Sequence, residues 1–160
     1  MNRNCSFFKY FSLSLFAFVL LAFSASSALA QTDKMANKEK SLYQRLGGYD
    51  AIAAVSDEFI TRLATDKLLG RFVVGLSDDS KGKLRQHFVE FLCLATGGSC
   101  VYMGRDMKTV HKGLGITEDD WKQAVKILVE TLDKFKVPEK EKTEVLTAVS
   151  SLKADVVEKK

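Results

Sequence analysis

The chain has 160 residues, 46% of them hydrophobic, with 24 Lys+Arg against 20 Asp+Glu and a formal charge of +4. That length fits one domain with a sizeable core, and the small, evenly spread charge gives no case for nucleic acid or an anionic membrane as partner. Two histidines and three cysteines without finger spacing also argue against a structural zinc site.

Arg3 and Lys9 lead an uncharged apolar run, FSLSLFAFVLLAFSASS, followed by ALA at Ala28–Ala30. A basic lead, an apolar stretch and small residues two apart predict a signal peptide over 1–30, cut after Ala30, and so a secreted or periplasmic protein. An uncleaved membrane anchor is the competing reading, because the run approaches the ~17–25 residues a span needs. Loss of Arg3 and Lys9 takes the net charge from +4 to about +2. Residues 31–40, QTDKMANKEK, read as a flexible polar leader, and 41–160 as the folded domain. No later apolar run is long enough for a membrane span.

Within the domain, Gly47-Gly48 breaks SLYQRLGGYDAI, and Asp50 is the expected cap of a helix carrying Ile52, Val55, Phe59, Ile60 and Leu63 at helical spacing. LLGRFVVGLSDDSKG reads as irregular. KLRQHFVEFLCLAT is the next helix, stopped by Gly97-Gly98, and SCVYMGRD is loop. MKTVHKGLGI gives a short helix ended by Gly113 and Gly115. Thr117 caps the long helix WKQAVKILVETLDKF, and Pro138 precedes one last helix, EKEKTEVLTAVSSLKADVV. Strand signals are weak throughout, so the class is all-α.

The chemistry sits on the two histidines. Leu84, His87, Phe88, Phe91, Leu92 and Ala95 share one helical face, which puts His87 among apolar neighbours. A core histidine bonded to a carbonyl satisfies that pattern as well as a ligand does. His111 has Met107, Val110 and Leu114 around it, the apolar wall that a haem iron needs on its proximal side. A Ser/His/Asp or Cys/His catalytic site is less attractive, because no G-x-S-x-G is present. Cys5 leaves with the leader; Cys93 and Cys100 remain, a candidate disulfide in an oxidising compartment or else two thiols.

SLYQRLGG (41–48), DEFITRL (57–63), FVEFLCLATGG (88–98), VYMGRDMKTVHKGLGIT (101–117) and VPEKEKTEVL (137–146) together resemble the truncated haemoglobins, group I. The three glycine motifs and the histidine segment fall in that family's order, and the likeness covers nearly all of 41–157. It implies a shortened globin fold, two helix pairs packed two-over-two around haem b. It implies that His111 is the proximal iron ligand, that Met107 and Tyr102 lie near the proximal face and its entry loop, and that Phe59 is the family's aromatic on the second helix. Phe72 lies at or next to the phenylalanine that wedges the haem; here Val73 follows it where the family usually has a second phenylalanine.

The distal side departs from the family pattern. Many members carry a tyrosine after the Phe59 position and glutamines on the distal helix; those positions are Ile60, Leu84 and Phe88, none a donor. His87 stands where some cyanobacterial members place a histidine that binds the iron from the other side. The alternative is a histidine at the pocket edge. Lys83 and Arg85 are candidate propionate partners or a solvated charge pair. The reading is binding of O2, NO and CO, with His87 to be displaced first if it is bound to the iron, an electron donor as a candidate further partner, and a monomer or weak dimer. An enzyme-like role, NO dioxygenation or peroxidase chemistry, competes with this carrier or redox role. A non-haem helical interaction protein with two core histidines is the remote alternative.

Overall fold

Short polar side chains and glycines set where the helices begin. In the computed structural model, which describes residues 39–159, Ser41 caps α1 (Leu42–Arg45) and exchanges bonds reciprocally with Gln44. The candidate signal peptide, and all but the last two residues of the leader, lie outside the described residues. Helix α2 (Gly48–Thr65) has Gly47 as its N-cap. Asp50, the expected cap, instead sits in the first turn. Gly47 and Gly48, at φ 98° and 78°, turn the chain into the helix ahead of Asp50, which leaves an acidic residue in the first turn, where the helix end is positive.

A 3-10 turn, Gly70–Phe72, leads to α3 (Asp78–Ala95). The expected start near Lys83 is thereby corrected. Ser77 accepts from Ser80 N–H at 3.3 Å, Asp78 and Asp79 fill the first turn, and these offset the ~1 kcal/mol cost of Gly82 inside the helix. Helix α4 (Met107–His111) is one turn, capped by Asp106, which accepts from Thr109 N–H at 2.9 Å. Thr117 and Asp120 form the capping box of α5 (Glu118–Lys134). The expected single last helix is two, α6 (Glu139–Ser150) and α7 (Lys153–Val156), with Pro138 as the N-cap of α6. The fold is all-α; among the described residues the one extended feature is an isolated bridge between Thr117 and Lys159. No helix among them is long and apolar enough to cross a membrane.

Helix α2 is the central strut, packing on α3 and on α5. One buried cluster joins Phe59 and Leu69 to Ile127, Leu128 and Leu132 of α5 and Val145 of α6. A second joins Ile52 to Val89, Leu92 and Cys93 of α3. The second cluster corrects the expected face of α3. Its buried side is Val89, Leu92, Cys93 and Thr96, while Leu84 and Ala95 are exposed and His87, Phe88 and Phe91 are half-buried. The helix carries two adjacent apolar stripes, and periodicity alone does not say which one meets α2. Arg45 ties α1 to α6, its Nε 2.9 Å from Glu141 and its Nη2 bonded to Glu144.

Cys93 and Cys100 are joined by a disulfide with Cα atoms 5.9 Å apart, which pins the end of α3 to the loop leading toward α4. Closing so short a loop stabilises by about 2 kcal/mol. Cys93→Ser with Cys100→Ser is therefore expected to lower the melting temperature by roughly 8 °C. An unchanged melt, measured under non-reducing conditions, would refute that estimate.

Candidate functional site

His111 closes α4. Its Nδ1 lies 2.7 Å from the carbonyl oxygen of Met107, one turn back. A carbonyl only accepts, so Nδ1 carries a proton; in the neutral ring Nε2 then keeps its lone pair, the tautomer of a metal-binding imidazole. The ring is half-buried.

After His111 the chain leaves the helix through Gly113 (φ 86°) and Gly115 (φ 66°). Those left-handed turns aim both glycine N–H groups at the Glu158 carboxylate, each donating over 2.6 Å. The two bonds hold that carboxyl below the usual carboxylate range.

On α3, His87 makes no such anchored contact. Its Nδ1 is shielded from solvent without a hydrogen bond. Glu90 Oε2 stands 3.5 Å away, the outer edge of contact, and pairs with the ring only if it is charged. Glu90 is engaged elsewhere, accepting from the Gln86 amide at 2.9 Å and Met103 N–H at 3.3 Å; these bonds keep its carboxyl low. Tyr102 meets His87 edge-on, ring centroids 6.0 Å apart, and Phe91 at 5.7 Å. Its hydroxyl donates to the Arg105 carbonyl at 2.7 Å, and burial pushes its phenol up. Tyr102 thus belongs to the loop before α4 while its ring packs on α3. Phe59 is buried and stacks on Phe88, centroids 5.2 Å apart; Ile60 and Met107 are half-buried.

The turn carrying Phe72 is fixed from α5. The Arg71 guanidinium lies 4.4 Å over the Phe72 ring and reaches both oxygens of Asp120 at 2.7 Å. Asp120 is 1% exposed. It also accepts from the Thr117 N–H and hydroxyl, each at 2.9 Å. Lys83 pairs with Asp79 at 2.7 Å and Arg85 with Asp57 of α2, so both cations are met by carboxylates of this chain.

The bacterial-like globin family model matches residues 41–158. The chain is 33% identical over 116 residues to the group 1 truncated hemoglobin GlbN of Mycolicibacterium paratuberculosis, covering 72% of this chain and 83% of that protein. The chain belongs to the group 1 truncated haemoglobins.

The crystal structure of the 2/2 hemoglobin from a Synechococcus species, in the cyanomet state with covalently attached heme, superposes with a TM-score of 0.67 at 30% identity. It spans 74% of this chain and 98% of that one. The truncated hemoglobin of Tetrahymena pyriformis, at 21% identity and a TM-score of 0.68 over the same shares, bears on the fold alone. The fold is thus the two-over-two truncated globin, and the family implies a haem cofactor. The residues present fit one. His111 offers an imidazole in the right tautomer, and His87 has an orphaned shielded nitrogen. Among the described residues no three His, Cys, Asp or Glu side chains gather into a metal cage. Among truncated-globin positions read from sequence, Leu84 is partly solvent-facing, 36% exposed.

Glu158, Asp120 and Glu90 were not read from sequence as site residues. Asp120 had a signal, the Thr117-x-x-Asp capping box. Glu158 had none, because its partners lie more than 40 residues away.

Proposed function

We propose that this chain is an exported haem globin in which His111 holds the iron and His87 competes reversibly for the opposite axial position. When bound, haem would supply an iron able to take a histidine nitrogen and a diatomic gas. The observation that carries the proposal is the His111 Nδ1–Met107 carbonyl bond, which orients the ring and leaves Nε2 outside that contact. His87 suits the second role because no hydrogen bond restrains its Nδ1. Ile60, Leu84 and Phe88 offer no polar hydrogen, so His87 is the one side chain among these distal positions able to donate to O2 or NO. That apolar lining favours gas binding or electron exchange over NO dioxygenation or peroxidase turnover, the second reading. The Cys93–Cys100 bridge supports export, since such bonds persist in oxidising compartments. The Ala30 cut is tested by N-terminal sequencing of the exported protein.

The decisive experiment is an absorption spectrum of the purified protein, oxidised and reduced. A low-spin six-coordinate spectrum that turns high-spin in His87→Ala is expected. If His87 occupies the site nine-tenths of the time, its removal speeds CO association about 10-fold. A high-spin spectrum in the unmodified protein would reject the second ligand.

A further inference from the structure

The segment after His111 is bound to the C-terminal tail at several points. Glu158 accepts from Gly113 N–H and Gly115 N–H, both at 2.6 Å. Glu158 N–H and Lys159 N–H then donate to the Ile116 carbonyl at 2.9 and 3.1 Å. Lys153 Nζ at the start of α7 reaches Glu118 at 2.7 Å, beyond the glycine loop. Helix α7 itself packs on α4.

This arrangement meets a specific mechanical need. Helix α4 is five residues long, too short to be stable or to hold a direction unaided. Its N-terminal side is fixed by the Asp106 cap and the Tyr102 hydroxyl. On its C-terminal side, Leu114 N–H returns to the His111 carbonyl at 3.1 Å. Gly113 and Gly115 N–H, which the left-handed turns aim away from the helix, find Glu158 instead. Two bonds to one carboxylate are charge-assisted and fix the loop in direction as well as position.

We infer that Glu158 is a positioning residue for the proximal ligand. By clamping the loop that leaves His111, it fixes the tilt and reach of the imidazole and so the strength of the iron–histidine bond. This rests on the reading of His111 as the iron ligand. Outer-shell partners of a metal ligand typically account for 10–100-fold in affinity. Glu158 acts one step further out, through backbone, which points to the lower end of that range.

The test uses the full haem-loaded chain in the His87→Ala background, which leaves His111 as the sole protein ligand. Glu158→Gln keeps the size of the side chain but turns an N–H donor toward one of the glycine amides. Three readouts are compared: amide exchange at Gly113 and Gly115, the iron–histidine stretching band of the reduced protein, and haem loss to excess apomyoglobin. The expected result is protected amides in the background protein. Glu158→Gln speeds their exchange at least about 10-fold, shifts and broadens the band, and speeds haem loss about 10-fold. Lys159→Ala, which keeps the carboxylate, leaves all three unchanged. Unprotected glycine amides in the background protein overturn the clamp. A band and a haem-loss rate indifferent to Glu158→Gln overturn the positioning role, as does an equal effect from Lys159→Ala, which would make it general tail packing. If the background protein has no iron–histidine band, the His111 reading fails and takes this inference with it, an outcome distinct from the others.

Discussion

Replacing His111 with alanine is expected to lower haem affinity by roughly 1,000-fold while leaving the helices folded. On the proposed reading, removing the ring would abolish one iron–nitrogen bond and leave the apolar contacts of the porphyrin. If that bond contributes about 4 kcal/mol, the loss is about three decades in affinity. The apoprotein suffers little, since the half-buried ring forms one hydrogen bond, to the Met107 carbonyl, whose loss costs about 1 kcal/mol. Titration with haem, followed by quenching of the single tryptophan, Trp121, gives the affinity. Far-ultraviolet circular dichroism checks the fold. Free imidazole added to His111→Ala supplies the missing nitrogen and is expected to recover much of the affinity. Unchanged affinity and an unchanged iron spectrum in this variant would sink the assignment.

The histidine segment was legible because its information is local. MKTVHKGLGI states a one-turn helix, an apolar wall, a ring and a glycine stop, and the structure has that helix and those turns in place. The all-α class followed from periodicity for the same reason. What periodicity did not reveal was the rotation of α3. Its residues form two apolar stripes side by side, and only contact with Ile52 and the rest of the α2 cluster decides that Val89 and Cys93 point inward. Phe88 belongs to neither stripe alone, since it stacks on Phe59 and borders both clusters. Reading Gly82 as punctuation misplaces the start of α3, which contains it, whereas the Gly47-Gly48 break stands, with Gly47 as the N-cap of α2. Charge does not name its partner either: Lys83 and Arg85, candidate propionate partners or a solvated charge pair, lie beside Asp79 and Asp57.

Long-range polar contacts were the least legible part. Glu158 and Asp120 look like ordinary surface acids in a chain with 20 of them. Their roles come from what the fold brings near: two glycine N–H groups for one, and Thr117 with Arg71 for the other. Both lie on the route from His111 into α5. The glycine loop, Ile116 and Thr117 are contiguous, so the tail clamp and the Asp120 cap hold opposite ends of the same short segment.

Asp120→Asn is expected to cost about 2–3 kcal/mol of stability, lowering the melting temperature by roughly 10 °C, and to do so mainly at neutral pH. Burial pushes the Asp120 carboxyl up, but bonds from the Thr117 N–H and hydroxyl and from Arg71 more than reverse this, so it lies below the ordinary value. Asparagine preserves the volume and can still accept from Thr117. Its amide nitrogen then faces the Arg71 guanidinium, donor against donor, in a site 1% exposed. Arg71 is 47% exposed, so water offsets part of the loss, which keeps the figure below that of a fully buried pair. A carboxyl lowered in the folded state stabilises above its unfolded value of about 3.9, and that contribution fades as pH falls through the lower folded value. The gap between native protein and Asp120→Asn should therefore be full near pH 7 and narrow below about pH 4. Denaturant melts of the apoprotein at pH 7 and pH 3 measure it, without any contribution from haem. A gap that stays constant with pH would show that Asp120 acts through shape rather than charge. The same substitution frees Arg71, which lies over Phe72, so the turn that carries Phe72 loses its tie to α5. Faster haem loss from Asp120→Asn at pH 7, beyond what Arg71→Ala alone produces, would trace that tie to the carboxylate holding both the turn and the start of α5.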